Sequence, residues 1–504
     1  MNRMNRKQLL LATGMVLSMT GTAGAAECVR IVGPEWGSEK QSPDPAVLLA
    51  QYDLQLANSI YDPFVTVDEN LAAVPAIAKS WSSNDDGTVW TFKLNTGIKF
   101  HDGSDLDSAD VIYTYKRIMD EATASAGAAE LTQIKPEYLS APDPETVVVT
   151  LPSINAELPL IMATKWALVV PEGSTTEQLH NTPNGSGPFM LPKFELGAAK
   201  IRLDKNANYW RQGLPKADCL EITGINESTS RTSALLAGEA DVMTHLDGAS
   251  VPVVQGNPDV QILQGKGGTI LTMSMFVDTP PFDDVRVRKA LKMVIDRQAI
   301  LDTALLGFGV IGNDSPVPTS SPDAWTQEAP ARDVEGAKAL LAEAGYADGL
   351  TVDLYTGDIW PGHATMSQAF QQMAAEAGIT VNLIQTPSSE YWDTAWLKQP
   401  FVGSYWGQRP PVTALAIAYR KDAEWNETHW YRDDYEAILD EAAATIDNDA
   451  RRALYQKAGK LLAEEGGVIV PVVTVTISAV RTGCSGYNVP TDHNRQDFST
   501  VSCE

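Results

Sequence analysis

Residues 89–94, VWTFKL, alternate in character: Trp90, Phe92 and Leu94 fall on one side and Val89, Thr91 and Lys93 on the other, the period-two pattern of a half-buried strand. The runs at 28–33 and at 146–152 (TVVVTLP) read as further strands, while 51–58 and 107–119 read as helices, the latter with Asp107 or Ser108 placed to cap it. This first half mixes sheet and helix without a regular strand–helix–strand repeat. From Asp283 the texture changes. Asp283 and Asp284 precede VRVRKALKMVIDRQAILDTALL, where Val287, Leu291, Val294, Ile295 and Leu301 recur at helical spacing, and the pattern predicts one long buried helix with acids at its start. Residues 313–330 are rich in Pro, Ser and Asp and read as irregular. Helix, strand, helix and strand follow at 333–345, 351–357, 366–378 and 380–386, an α/β unit that predicts a second lobe. Two more helices are predicted at 432–447 and 449–465, ended by Gly466 and Gly467, before the apolar run VIVPVVTVTISAV reads as a single returning strand.

Length and charge narrow the class. With 504 residues, 44% of them hydrophobic, the chain can bury a large core split over two or three compact domains. Its formal net charge of -26 disfavours nucleic acid and anionic bilayers, whose phosphates are held by clustered Lys and Arg. Arg3, Arg6 and Lys7, then an apolar run from Leu9 to Met19 and the small residues Gly21 to Ala26, form the pattern of a secretory signal peptide cut after Ala25 or Ala26. The run is shorter than the roughly 20 apolar residues a membrane span needs. A soluble, exported protein is expected. A lipid anchor on Cys28 is rejected, because Glu27 stands where a small residue is required.

Four cysteines in an exported chain predict two disulfides, with three connectivities open. Cys484 with Cys503 and Cys28 with Cys219 is the favoured set: the first closes a short loop, the second ties the first strand to a later one. A metal site is the weaker alternative, since no CxxC or histidine pair accompanies them.

Enzymatic signatures are missing. Six histidines include no HExxH pair, and Gly185-Ser186-Gly187 lacks the spacing of a nucleophile elbow. Gly307-Phe308-Gly309-Val310-Ile311-Gly312 matches GxGxxG, but it follows a predicted helix, whereas dinucleotide binding needs a strand before and a helix after. It is read as a loop. No cofactor, no metal and no catalytic residue are expected.

The stretch SWSSNDDGTVWTFKLNTGIKFHDGSDLDSADVIYTYKR resembles the signature region of family 5 extracellular solute-binding proteins, the peptide and nickel receptors of ABC importers. NGSGPF at 184–189, KNANYW at 205–210, PFDDVRVRKALKMVIDRQAIL and EEGGVIVP agree in order, spanning nearly the whole chain. Asn95 departs from the Lys or Arg usual there. The resemblance implies an α/β, two-lobed periplasmic binding protein of type II, cluster C-like, with an extra subdomain in the first lobe. Lobe I would cover 27–267 with the subdomain at about 60–185, lobe II 268–474, and 475–504 would return to lobe I, with crossings near 265–275 and 470–478. It further implies a monomer that encloses a small-molecule solute between its lobes and hands it to a permease in the inner membrane.

By the same resemblance Trp36, Trp360, Trp392 and Trp406 sit in segments facing the cleft, where aromatic faces would line tolerant pockets. Peptide-binding members carry an aspartate soon after the tryptophan equivalent to Trp406, for the ligand's ammonium. This chain reads Trp406-Gly407-Gln408-Arg409-Pro410-Pro411-Val412-Thr413 instead. Gln408 is available for hydrogen bonding, and Arg409 favours a carboxylate. Glu35 or Asp358 could supply the absent negative charge from another loop. Short peptides or peptide-like solutes are therefore expected first, an opine, sugar conjugate or other organic acid second, and nickel or haem last.

Overall fold

A computed structural model describes residues 28–34, 41–48, 51–198, 200–491 and 495–503. The signal-peptide reading of residues 1–26, and Glu35 and Trp36, lie outside the described residues.

Two large mixed sheets organise the chain. The first has seven strands in the order Val260–Gln264, Ile477–Arg481, Val242–Met243, Cys28–Gly33, Cys219–Gly224, Lys200–Lys205 and Phe189–Met190. The second has six: Gly309–Ile311, Val468–Thr474, Thr269–Met275, Phe401–Gly407, Leu350–Thr356 and Ile379–Gln385. A smaller four-stranded sheet, Ala78–Ser83, Val89–Leu94, Thr146–Thr150 and Leu139–Asp143, shares one continuous apolar core with the seven-stranded sheet, so that Phe92 and Val147 belong to the same cluster as Val29 and Ile222. The six-stranded sheet is covered on both faces: Leu291, Phe370 and Phe401 pack on one side, Leu415, Tyr435 and Leu462 on the other. Burial on both faces explains why Val468–Thr474 is a nearly unbroken apolar run and why every residue of Thr269–Met275 is buried.

Local chemistry fixes the element ends. In Val89–Leu94 the residues Trp90, Phe92 and Leu94 are buried, as the alternation requires. Asp107 caps Ser108–Met119 in a reciprocal box with Asp110. Three readings are corrected. The predicted long helix after Asp284 is two helices, Val285–Met293 and Arg297–Ala304, because the Asp296 side chain accepts from the Ala299 N–H at 2.9 Å and caps a new start. The run VIVPVVTVTISAV is two strands in different sheets, Val468–Thr474 and Ile477–Arg481, with Val475 and Thr476 crossing between them. Within the glycine-rich 307–312 segment, Gly309–Ile311 is an edge strand against Val472–Thr474 rather than loop.

The chain passes between the large sheets at 265–268 and again at 475–476. Both disulfides are present: Cys28 with Cys219, neighbours on paired parallel strands, and Cys484 with Cys503. Their sulfurs are thus bonded to each other rather than free to ligate a metal. Among the described residues no helix is long and apolar enough to cross a membrane.

Away from the crossings, the small-sheet side touches the helix pair Asp433–Ala444 and Asn448–Glu465. Glu157 Oε1 lies 2.6 Å from Arg451 Nε and accepts from the Tyr455 hydroxyl at 2.7 Å, while the Ala156 N–H donates to the Ala443 carbonyl at 3.1 Å. With side chains only 12% and 13% exposed, Glu157 and Arg451 form a largely desolvated pair. Glu157→Gln keeps the shape and removes the charge, at an expected cost of about 2 kcal/mol to this contact. Amide exchange of Ala156 should then accelerate about 30-fold, and unchanged protection would show that the pair does not hold the contact.

Candidate functional site: an aromatic wall at the sheet crossing

The first crossing enters the six-stranded sheet at Thr269, whose strand pairs antiparallel with Phe401–Gly407 so that Thr269 lies opposite Gly407. The carboxyl end of Phe401–Gly407 therefore sits beside the crossing. Leu350–Thr356 runs parallel to it and ends at the same edge, placing Asp358 and Trp360 there. In the other large sheet, Cys28–Gly33 runs parallel to Val242–Met243, which pairs antiparallel with Ile477–Arg481 just past the crossing, so Gly33 also points its carboxyl end to this edge. Loops at the carboxyl ends of strands are where open α/β sheets hold their ligands.

Tyr405 and Trp406 alternate to opposite faces of their strand, and aromatic rings wrap around its end. Trp360 packs on Tyr405 with centroids 4.6 Å apart; Trp392 meets Tyr405 at 5.5 Å and Trp396 at 5.4 Å; Trp396 meets Trp406 at 6.2 Å, and Trp406 meets Trp425 at 5.9 Å. Trp392 on the helix Ser388–Thr394 and Trp396 in the turn that follows it meet edge to face. Trp392 and Trp425 keep 38% and 39% of their surface exposed, an unusual expense for rings of this size unless something covers them.

Arg409 lies over the Trp406 ring, 5.7 Å from its centroid, and its Nη1 donates to the Gly407 carbonyl at 2.9 Å. Among the described residues it has no ion-pair partner. Burial lowers its pKa from the usual guanidinium value, opposed by the charge of Glu130, which stands on the small-sheet side. It remains a cation, and one of its five donor hydrogens is committed to the Gly407 carbonyl.

Gln408 is turned elsewhere. Its backbone N–H donates to the Gly268 carbonyl at 2.7 Å and its Oε1 accepts from the Gly268 N–H at 3.1 Å, so it straps the strand end to the crossing. Gly267 accepts this close approach, since a Cβ there would lie 1.6 Å from Gln408 Oε1. Asp358 is exposed at the same edge. The structure thus gathers Trp360, Trp392, Trp406 and Arg409 in one place.

Sequence reasoning missed Tyr405, Trp396, Trp425 and Glu427. Glu427 is fully buried and accepts from the indole N–H of Trp396 at 2.8 Å, from that of Trp406 at 3.0 Å and from the Ser274 hydroxyl at 2.8 Å. The signal available was the density of tryptophan in AWLK and EWNETHW, which marks an aromatic neighbourhood but not its acceptor.

Residues 72–426 match the family model of bacterial extracellular solute-binding proteins, family 5. Di/tripeptide-binding protein 3 of Pseudomonas aeruginosa (strain UCBPP-PA14) is 26% identical over 446 residues, covering 81% of this chain and 82% of that protein. Heme-binding protein A of Haemophilus influenzae is 26% identical over 450 residues, covering 82% and 81%. Among solved structures, the periplasmic murein tripeptide binding protein MppA in an unliganded open form superposes with a TM-score of 0.85 at 21% identity, covering 95% of this chain and 98% of that one. With a family match over more than half its length and the same two-lobed architecture, the chain belongs to the bacterial extracellular solute-binding proteins of family 5.

Proposed function

We propose that the protein is the periplasmic receptor of an ABC importer, a monomer without catalytic activity that captures a short peptide or peptide-like solute between its lobes and delivers it to an inner-membrane permease. The crossings at 265–268 and 475–476 are the hinge of that closure, dividing lobe I from lobe II, and residues 1–26 are the export signal. The observation that carries the ligand class is the pairing of a tryptophan wall with Arg409 at one sheet edge. Rings accept varied side chains, and the guanidinium fixes a carboxylate. The names of the relatives support peptides as the solute class. Because the segment after Trp406 holds a cation and no acid, the solute's carboxylate end is the anchored end.

A thermal-shift series on refolded, ligand-free protein tests this. A binder at 100 times its dissociation constant adds about 2.7 kcal/mol of stability. Amidating the carboxylate of a bound peptide should weaken it at least about tenfold, whereas acetylating its amino end should change little. A strong loss on acetylation, with none on amidation, would reverse the orientation. Stabilisation by organic acids alone would move the assignment to the acid class that Arg409 also fits.

A further inference from the structure

Burying a carboxylate is costly unless its oxygens are hydrogen-bonded or a cation neutralises it. Glu427 has no Lys, Arg or His in ion-pair range among the described residues. Its burial is offset by three donors on three separate elements: Ser274 within Thr269–Met275, Trp396 after Ser388–Thr394, and Trp406 within Phe401–Gly407. The two indoles divide the carboxylate between them, Trp396 on Oε2 and Trp406 on Oε1. Each ring is thereby turned with its N–H edge inward. Trp406 then carries Arg409 on its face and abuts the exposed Trp425, so one buried charge sets the attitude of rings and cation alike.

Apolar packing alone would leave these rings freer. An indole offers one N–H, and an aromatic contact at 6 Å tolerates several tilts, whereas a charge-assisted hydrogen bond fixes a direction. A carboxylate on the N–H also enriches the indole's π face, which favours a guanidinium above it.

We propose that Glu427 is the positioning residue of the solute site, a two-point clamp that locks Trp396 to Trp406 and so holds Arg409 in register for the solute's carboxylate. This rests on the receptor reading above for the word solute, but the clamp is measurable without any ligand. In Glu427→Gln the amide oxygen can accept from one indole, while its NH2 faces the other indole's N–H and releases it.

The experiment uses the full chain labelled with 15N-tryptophan. Two of its 12 tryptophan indole signals are assigned by Trp396→Phe and Trp406→Phe. Glu427→Gln is expected to move at least one of those two signals upfield with the signals of tryptophans far from the wall in place, to raise acrylamide quenching, and to weaken trialanine binding about tenfold. Should that variant fail to fold, Trp396→Phe decides: it removes one donor, and a coupled clamp then shifts the Trp406 signal and lowers trialanine affinity as well. Unmoved Trp396 and Trp406 signals in Glu427→Gln, or moved signals with trialanine affinity intact while Trp406→Ala abolishes it, overturn the clamp. Trialanine binding that survives Trp406→Ala would instead refute the site reading, whatever the indole signals do.

Discussion

Replacing Cys28 and Cys219 together by serine is expected to lower stability by about 5 kcal/mol. The bond closes a loop of 191 residues, and the loop-closure entropy denied to the unfolded chain grows with the logarithm of that length. The shorter bridge, Cys484 to Cys503, spans 19 residues and should be worth about 3 kcal/mol by the same relation. The longer bridge also staples Cys28–Gly33 to Cys219–Gly224 at the start of their parallel register, the central pair of the seven-stranded sheet. For a chain of this size the Cys28→Ser, Cys219→Ser variant should melt about 5 °C lower. A melting loss no larger than that of the Cys484→Ser, Cys503→Ser variant would show that loop length does not govern the effect.

Lowering the pH from about 6.5 to about 4 should cost the fold about 3 kcal/mol through one residue, His363. The ring is fully buried against Phe401–Gly407, where a Cβ on Gly403 would lie 2.0 Å from its Cε1, and it meets the Thr272 carbonyl at 3.3 Å and the Thr356 hydroxyl at 3.4 Å. Burial pushes its pKa down to about 4, with the Thr272 carbonyl opposing. Above pH 6.5 the imidazole is neutral folded or unfolded, and its contribution is fully present. As pH falls the unfolded chain takes up the proton first, so stability drops until the folded ring protonates near pH 4 and flattens below. Carboxylates titrate in the same window, so the measurement is a difference: denaturant midpoints across pH 4–7 for the protein and for His363→Asn. Parallel curves would remove His363 as the cause.

Much of this architecture could be read from local chemistry. The alternation of Val89–Leu94 and the acids at Asp107 and Asp284 are decided within a few residues, and these elements form where the pattern puts them. Asp296 shows the limit: its side chain can either ride on a helix or start one, and packing of Arg297–Ala304 chose the second. The run 468–480 is mostly β-branched and is apolar apart from Thr474, Thr476 and Ser478, hydroxyl residues that strands also accept, so nothing local marks where it leaves one sheet for the other. At the site, Trp360, Trp392, Trp406 and Arg409 were accessible through the resemblance. Glu427 was not, because its partners lie 21 and 31 residues away and a glutamate between Asn426 and Thr428 looks like surface.

The strap from Gln408 to Gly268 joins the ring-bearing strand end to the first crossing, which we propose as part of the hinge. On that proposal, the push of a guest on Trp406 would reach the fulcrum within two residue pairs, where a small rotation sweeps the far rim through a wide arc. Occupancy and swing angle would then form a single coordinate, with Gly267, whose missing Cβ leaves space for Gln408 Oε1, at its bearing.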